Sequence, residues 1–233
     1  MNEKKILIII PTLNEGLSIG NVISELNKHF SNPDILVIDA YSSDETLNEV
    51  KKTNTNIIQI DKFFGLSAQI ETGILYAFIH DYDFLIRVDG DGQHEPGDAR
   101  KLLNFAIQEK SDLMIGSRFL GKSEYRPNNL RLFGIRLLRK LIKVFYSKEL
   151  TDCNSGCQIL SKRFIKKLSN DENFEYSEIS IICKAIELNM SIKEKFIDMK
   201  KRKTGHSKFN FVNSFKFMFK NLLDLLTSIK YKK

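Results

Sequence analysis

Apolar residues run along the first half of the chain in short unbroken blocks, separated by stretches of helical spacing. Ile6–Ile10 is a continuous apolar run closed by a proline, the pattern of a buried parallel strand. From Gly16 to Phe30 the apolar residues Ile19, Val22, Ile23 and Leu26 recur at helical intervals. Ile35–Ile38 predicts a second strand, and Ser43 to Val50 opens with the Ser and Asp residues that start helices. The rhythm continues with strand Ile57–Ile60, helix Leu66–His80, strand Phe84–Val88, helix Pro96–Gln108 with proline at its start, and strand Leu113–Ile115. Such β-α alternation predicts an α/β fold, a mostly parallel sheet flanked by helices. Ligands of these sheets bind beyond the carboxyl ends of the strands, which singles out Pro11–Glu15, Asp39–Asp44, Asp89–His94 and Gly116–Arg118.

The second half is patterned differently. Leu130–Tyr146 predicts a basic amphipathic helix, Asp152–Gly156 a polar turn, Phe164–Leu168 and Ile179–Leu188 helices, and Ile192–Ile197 an alternating strand. A basic loop, Lys200–Lys208, leads to a phenylalanine-rich helix over Phe209–Ile229. No internal repeat or low-complexity segment interrupts this order. The expected organisation is one domain over residues 1–208 and a basic amphipathic helix over 209–233.

Composition narrows the class. With 42% hydrophobic and 28% charged residues among 233, the chain is an ordinary globular sequence, and disorder is excluded for most of it. The longest apolar runs fall far short of the roughly 20 residues a bilayer span needs. No secretory signal is expected, because Ile6–Ile10 is short and leads into Pro11 without a cleavage site. Three cysteines, Cys153, Cys157 and Cys183, are sparse and odd in number, which argues for a reducing compartment and against a disulfide framework. Cys153 and Cys157 lack the second ligand pair that zinc requires, and Cys183 sits on an apolar helix face.

Charge adds a direction. The net charge is +7, yet residues 193–233 hold twelve Lys or Arg against three acids, so the remainder is slightly acidic. Residues 126–148 hold seven basic side chains and no acid. Two such blocks imply an anionic partner: phosphate groups, a lipid surface or nucleic acid. For any single lysine, a solvated helix face is the simpler account.

The most informative stretch is Arg87-Val88-Asp89-Gly90-Asp91-Gly92-Gln93-His94. Two carboxylates flank a glycine at the end of an apolar strand, and Gly90 and Gly92 allow a turn tight enough for both to reach one ion. Oxygen ligands favour Mg²⁺ or Mn²⁺. An EF-hand is disfavoured by the misplaced downstream glutamate and the absence of a helix leading in. Structural roles compete at each position. Asp39 could cap a turn, Glu15 could complement a helix dipole, Asp152 could hold its own turn, and Arg118 could lie on the surface. His94 and His206 are assigned to no metal.

Taken in order, Pro11-Thr12-Leu13-Asn14-Glu15, Asp39-Ala40-Tyr41-Ser42-Ser43-Asp44, Asp89-Gly90-Asp91-Gly92-Gln93 and Gly116-Ser117-Arg118 resemble family 2 glycosyltransferases of the Rossmann-like GT-A fold. Asp152-Cys153-Asn154-Ser155-Gly156-Cys157 and Arg202-Lys203-Thr204-Gly205-His206-Ser207-Lys208 resemble the branch that glycosylates polyprenyl or dolichyl phosphate. The resemblance implies that Pro11, Leu13 and Glu15 line a nucleotide pocket and that Asp39 accepts a hydrogen bond from base or ribose. It also implies that Asp89 and Asp91, with Gly90 between them and Gln93 helping, hold a Mg²⁺ or Mn²⁺ ion against the donor diphosphate. Arg118 and Arg131 would face phosphate oxygens, and Arg202 and Lys208 would clamp phosphate from the C-terminal loop. The chain departs from the family at Ala40-Tyr41, where many members have a second acid and a glycine, so GDP- and UDP-sugars both stay open as donors.

The expected reaction is metal-dependent, inverting transfer of a sugar to a polyprenyl phosphate. A phosphate nucleophile needs positioning more than a base; a sugar hydroxyl acceptor needs a base, for which Asp152 is the first candidate and Glu178 the second. A basic nucleic-acid-binding module is a remote alternative, disfavoured because the Asp89/Asp91 loop repels phosphates without a metal and no recognition motif is present. The Phe- and Lys-rich C-terminal helix fits a membrane interface, with packing on protein as the alternative. The expected location is the cytoplasmic face, held peripherally. The oligomeric state stays open.

Overall fold

The computed structural model describes residues 4–31, 33–61, 64–122, 127, 129–171, 174, 176–199 and 222–227. The chain runs β1 (Ile6–Thr12), α1 (Ile19–His29), β2 (Asp34–Asp39), α2 (Thr46–Lys51), β3 (Asn56–Gln59), α3 (Gly65–Ile79) and β4 (Phe84–Arg87). It continues with α4 (Pro96–Gln108), β5 (Leu113–Ser117), α5 (Asn129–Tyr146), β6 (Gln158–Ser161), α6 (Lys162–Ser169), α7 (Glu178–Glu187) and β7 (Ile192–Phe196). One sheet has the order β3-β2-β1-β4-β6-β5-β7. All pairings are parallel except those of β6, which runs antiparallel to both β4 and β5. The order reverses between β1 and β4, and a crevice at that switch point is where such sheets receive ligands.

The unbroken apolar run of β1 has a direct cause. Leu7 and Ile9 enter the core shared with α3, α5, α6 and α7, while Ile8 and Ile10 enter the core shared with α1 and α4. A central strand covered on both faces has no polar side to present. Each such side chain contributes roughly 1.5–3 kcal/mol on burial, which favours this register over a slipped one.

β1 extends past the apolar run, through Pro11 and Thr12, with Pro11 opposite Ile38 of β2. The β1–β4 ladder ends at Ile9 and Arg87, so the missing N–H of Pro11 falls where β4 asks for no donor. Strand β6 was not foreseen. Its four residues, Gln-Ile-Leu-Ser, carry no alternation, and only the flanking β4 and β5 give them partners. Helices α6 and α7 begin slightly earlier than expected because Ser161 and Ser177 cap them, accepting from the N–H groups of Phe164 (3.3 Å) and Ser180 (3.2 Å).

The expected basic loop Lys200–Lys208 lies outside the described residues. So does the Phe209–Ile229 helix, apart from residues 222–227, which are helical and bury Leu225 in the core. Among the described residues, no helix is long and apolar enough to cross a membrane.

Candidate active site

The carboxyl ends of β1 and β2 are bound into one frame. Asp39, the last residue of β2, is fully buried. Its carboxylate accepts from the N–H (2.9 Å) and Oγ of Ser42, from Thr12 Oγ1 (3.3 Å) and from Gln59 Nε2 (3.4 Å). Asn14, with φ of 56°, donates its N–H to Ser42 Oγ and accepts from the Ser43 N–H, both at 2.8 Å. Asp44 accepts from the N–H groups of Gly16 and Thr46, each at 3.0 Å. Burial raises the Asp44 pKa, but hydrogen bonds from Thr46 and Gly16 outweigh that and hold it below the usual value. From helix α3, the buried Gln69 amide donates to the carbonyls of Thr12 (2.9 Å) and Ile38, clipping the two strand ends together.

Tyr41 is carried in this frame with φ of 54° and is 62% exposed. A bulky residue in the left-handed region costs roughly 1–2 kcal/mol. It persists because Ser42 is bound to Asp39 and Ser43 to Asn14, so the backbone on its C-terminal side is held.

Across the switch point, Asp89 follows β4. Its carboxylate is partly exposed, and Oδ1 accepts from Arg87 Nη2 at 3.2 Å. Arg87 is itself buried in the strand and donates through Nη1 to Glu178 of α7 at 2.8 Å. Burial pushes the Asp89 pKa up, but the Arg87 guanidinium, with His94 and Arg118 behind it, pulls harder, and the carboxyl stays below the ordinary range. The Asp89 N–H donates to Nδ1 of the buried His94 at 3.4 Å. Gly92, with φ of 71°, turns the chain so that the Gln93 N–H donates to Asp91 Oδ1 at 3.0 Å. Ser18 Oγ donates to the Gly90 carbonyl at 2.7 Å, and a Cβ on Gly90 would lie 2.8 Å from Thr12 Cγ2. The acidic turn therefore rests directly against the end of β1 and the start of α1.

A third segment, Thr151–Cys157, closes over the acidic turn. Asp152 is fully buried, and its oxygens accept from Arg118 Nε (2.6 Å) and Nη2 (2.7 Å) as well as from the Arg118 N–H (3.2 Å). Arg118 Nη2 also donates to the Asn154 carbonyl at 3.0 Å. Glu194 of β7 accepts from the N–H groups of Thr151 (2.8 Å) and Asp152 (2.9 Å). At the far end of the segment, Gly156 lies on Asp89. A Cβ there would overlap both carboxylate oxygens, at 2.8 Å from Oδ1.

Asp89, Gly90, Asp91 and Gln93 are thus grouped beside the ends of β1 and β2, near Glu15, whose N–H donates to Thr46 Oγ1 at 2.9 Å. Pro11 is buried in strand β1, not in a loop. Leu13 follows directly on β1. Two of the expected groups have partners within the chain. Asp39 accepts from Ser42, Thr12 and Gln59, as a turn cap does. Asp152 and Arg118 pair with each other. Arg131 lies on α5 with its side chain outside the described set, and Arg202 and Lys208 lie outside the described residues. The three cysteines are buried and form no disulfide, and burial pushes the Cys157 thiol up to about 12, leaving it an inert core group. Sequence reasoning missed Arg87. The signal was present, because a cation inside an apolar central strand two residues before Asp89 shares its face and demands a carboxylate.

Residues 7–169 match the family model described as glycosyl transferase family 2. The chain belongs to glycosyl transferase family 2. It is a nucleotide-sugar-dependent glycosyltransferase. It is 29% identical over 215 residues to the UDP-N-acetylglucosamine–dolichyl-phosphate N-acetylglucosaminyltransferase of Methanococcus voltae, covering 82% of this chain and 84% of that one. It is 26% identical over 231 residues to the polyprenol monophosphomannose synthase of Mycolicibacterium smegmatis, covering 93% and 85%. Among solved structures it is similar to the glucosyl-3-phosphoglycerate synthase of Mycobacterium tuberculosis in complex with Mn²⁺, UDP and phosphoglyceric acid. There the TM-score is 0.75 at 15% identity, covering 97% of this chain and 78% of that one. The GT-A fold and the family expected from the motifs are both shown.

Two substitutions test the geometry of this family 2 enzyme. Tyr41→Gly relieves the left-handed strain and should raise stability by up to about 1 kcal/mol in urea unfolding, after glycine's own entropy is subtracted, whereas Tyr41→Ala keeps a Cβ and should not. Gly156→Ala should push the Asp89 carboxylate aside and lower turnover by about a hundredfold, with the circular dichroism spectrum unchanged.

Proposed function

We propose that the enzyme transfers a sugar, with inversion, from a GDP- or UDP-linked donor to a polyprenyl phosphate at a membrane surface. The observation that carries the choice of acceptor is the state of the two carboxylates available as bases. Asp152 is bound by Arg118 and Glu178 by Arg87, both pairs buried. Each carboxylate already accepts hydrogen bonds from its guanidinium, so a hydroxyl would have to displace a buried partner to reach it. A sugar hydroxyl needs such a base, whereas a phosphate monoester is already a dianion above its second pKa, near ~6.

The donor end follows from the acidic turn. Among the described residues, no group of three or more His, Cys, Asp or Glu side chains converges on one point, so these residues build no complete metal cage. Asp89 and Asp91, with the Gln93 amide, form a partial set of hard oxygen donors. That fits Mg²⁺ or Mn²⁺, which bind through one or two carboxylates and take their other ligands from substrate phosphates and water. When bound, the cation offsets the negative charge that builds on the departing diphosphate. Arg87 holds Asp89 in place, and Gly156 leaves room for the carboxylate. In the reaction, the bond from the anomeric carbon to the diphosphate oxygen breaks while a bond forms from that carbon to an acceptor phosphate oxygen on the opposite face. Pro11, Leu13 and Glu15 border the nucleotide in this reading, and Arg131, Arg202 and Lys208 serve the phosphates.

Helix α5 supports the membrane placement. Arg136, Lys140 and Lys143 are exposed on it together with Phe133 and Val144, which are 60% and 64% exposed. Basic and apolar groups on one outward face suit anionic headgroups and the acyl boundary behind them. This reading places the enzyme peripherally on the cytoplasmic face, with no nucleic acid among its partners. A transfer assay with radiolabelled nucleotide sugars, undecaprenyl or dolichyl phosphate, and Mn²⁺ should yield a lipid-linked sugar and lose it with EDTA. Asp152→Asn should weaken that transfer without abolishing it. Transfer only to a sugar-hydroxyl acceptor, abolished by the same substitution, would reverse the assignment.

A further inference from the structure

A helix on the surface of a globular domain normally turns an apolar stripe inward and a polar face outward. Helix α3 does not. Its fifteen residues, Gly65–Ile79, carry one charge, Glu71. Ile70, Ile74 and Ala77 are buried in the core, yet Leu75, Phe78 and Ile79 are 36%, 39% and 72% exposed. These three are spaced i, i+3 and i+4, so they form one outward patch. Phe64, at the helix start, is 70% exposed. The helices packed on the opposite face of the sheet, α1, α2 and α4, together expose one large apolar side chain among the described residues, Ile107. Exposed apolar surface gathered on one element marks a contact site.

The charge beside this patch selects its occupant. Helix α3 packs against α6, whose exposed side chains are Lys162, Arg163, Lys166 and Lys167, with no acid on the helix. Lys162 is paired with Asp81 and Arg163 with Asp112, whereas Lys166 and Lys167 have no carboxylate partner among the described residues. Helix α5, with Phe133, Arg136, Lys140 and Val144 exposed, packs into the same core, so apolar and basic groups share one side of the sheet. A second copy of the chain would meet this side isologously, which sets lysines against lysines. An anionic bilayer offers both complements at once: acyl chains for Leu75, Phe78 and Ile79, and headgroups for the lysines.

Resting on the membrane placement proposed above, we infer that the outer face of α3, together with Lys166 and Lys167 of α6, is the surface on which the enzyme lies against anionic lipid. The position suits the candidate active site. Gln69, in the first half of α3, clips the carboxyl ends of β1 and β2 together. A molecule lying along α3 therefore brings that edge of the sheet close to the headgroups, where the phosphate of a lipid acceptor sits.

The experiment is co-sedimentation with sucrose-loaded vesicles, made of phosphatidylcholine alone or mixed with phosphatidylglycerol, at low and high salt. Wild type is compared with the double variants Phe78→Ser/Ile79→Ser and Lys166→Gln/Lys167→Gln. Wild type should bind the anionic vesicles more tightly than the neutral ones, and each double variant should bind the anionic ones about tenfold more weakly. High salt should narrow the gap between wild type and the lysine variant but not the gap between wild type and the α3 variant. The chain contains no tryptophan, so Phe78→Trp and Ile107→Trp each add a single fluorophore. Lipids brominated on their acyl chains should quench the first and not the second. Undiminished binding by the Phe78→Ser/Ile79→Ser variant, no quenching in Phe78→Trp, or equal quenching in both tryptophan variants overturns the inference and leaves the membrane placement standing. A wild-type dimer without lipid that Phe78→Ser/Ile79→Ser dissociates gives this face to a second copy and overturns it as well. If the serine variant fails to fold, the tryptophan pair decides. Wild type that binds no vesicle overturns the membrane placement itself, a result distinct from wild type bound through another face.

Discussion

A guanidinium inside the central sheet cannot stay there without negative charge around it, and Arg87 meets that demand with two carboxylates on different elements. It reaches Glu178 on α7 at 2.8 Å and Asp89 beyond its own strand at 3.2 Å. Removing one member of such a buried pair costs roughly 3–5 kcal/mol, because the remaining charge is stranded. The electrostatic need of Arg87 therefore helps fix where Asp89 sits, and its guanidinium holds the partly exposed Asp89 carboxyl below the ordinary range. The position of the acidic turn follows from this constraint, together with the closeness of Gly90 to Thr12 on the other side.

The second buried pair, Arg118 with Asp152, works in the same way one layer further out. It joins the end of β5 to the Thr151–Cys157 segment, and Glu194 secures that segment from β7. Both pairs consume carboxylates that would otherwise be candidates for proton transfer. Both guanidiniums are charge-paired, and what stands beside them is the acidic turn of Asp89 and Asp91.

Around this centre the loops differ in how rigidly they are held. Asp39, Ser42, Asn14, Thr12 and Gln69 link β1, β2 and α3 into a frame with few free polar groups. Tyr41 is carried in it at a left-handed backbone angle. The segment over β4 and β6 is the reverse: it is packed, yet its polar atoms are under-satisfied. Among the described non-glycine residues, Asn14 and Tyr41 take left-handed angles at the carboxyl edge of the sheet, whereas Asn54, Asp81, Lys110, Ser147 and Asn189 take theirs elsewhere.

Much of this was legible along the chain. The unbroken run Ile6–Ile10 announced a strand buried on both faces, the spacing of Ile19, Val22, Ile23 and Leu26 announced the helix over it, and Asp89-Gly90-Asp91 at a strand end announced the acidic turn. Periodicity and turn chemistry are local properties, carried by neighbours a few residues apart, so they can be read without coordinates. Strand β6 could not be, since Gln158–Ser161 owes its conformation to β4 and β5 on either side of it. Nor could the partners of Asp39 and Asp152, which are Ser42, Thr12 and Gln59 in one case and Arg118, 34 residues away, in the other. Which charges meet inside a protein is settled only when distant segments pack, because an ion pair is worth forming in the interior only where both partners leave water together.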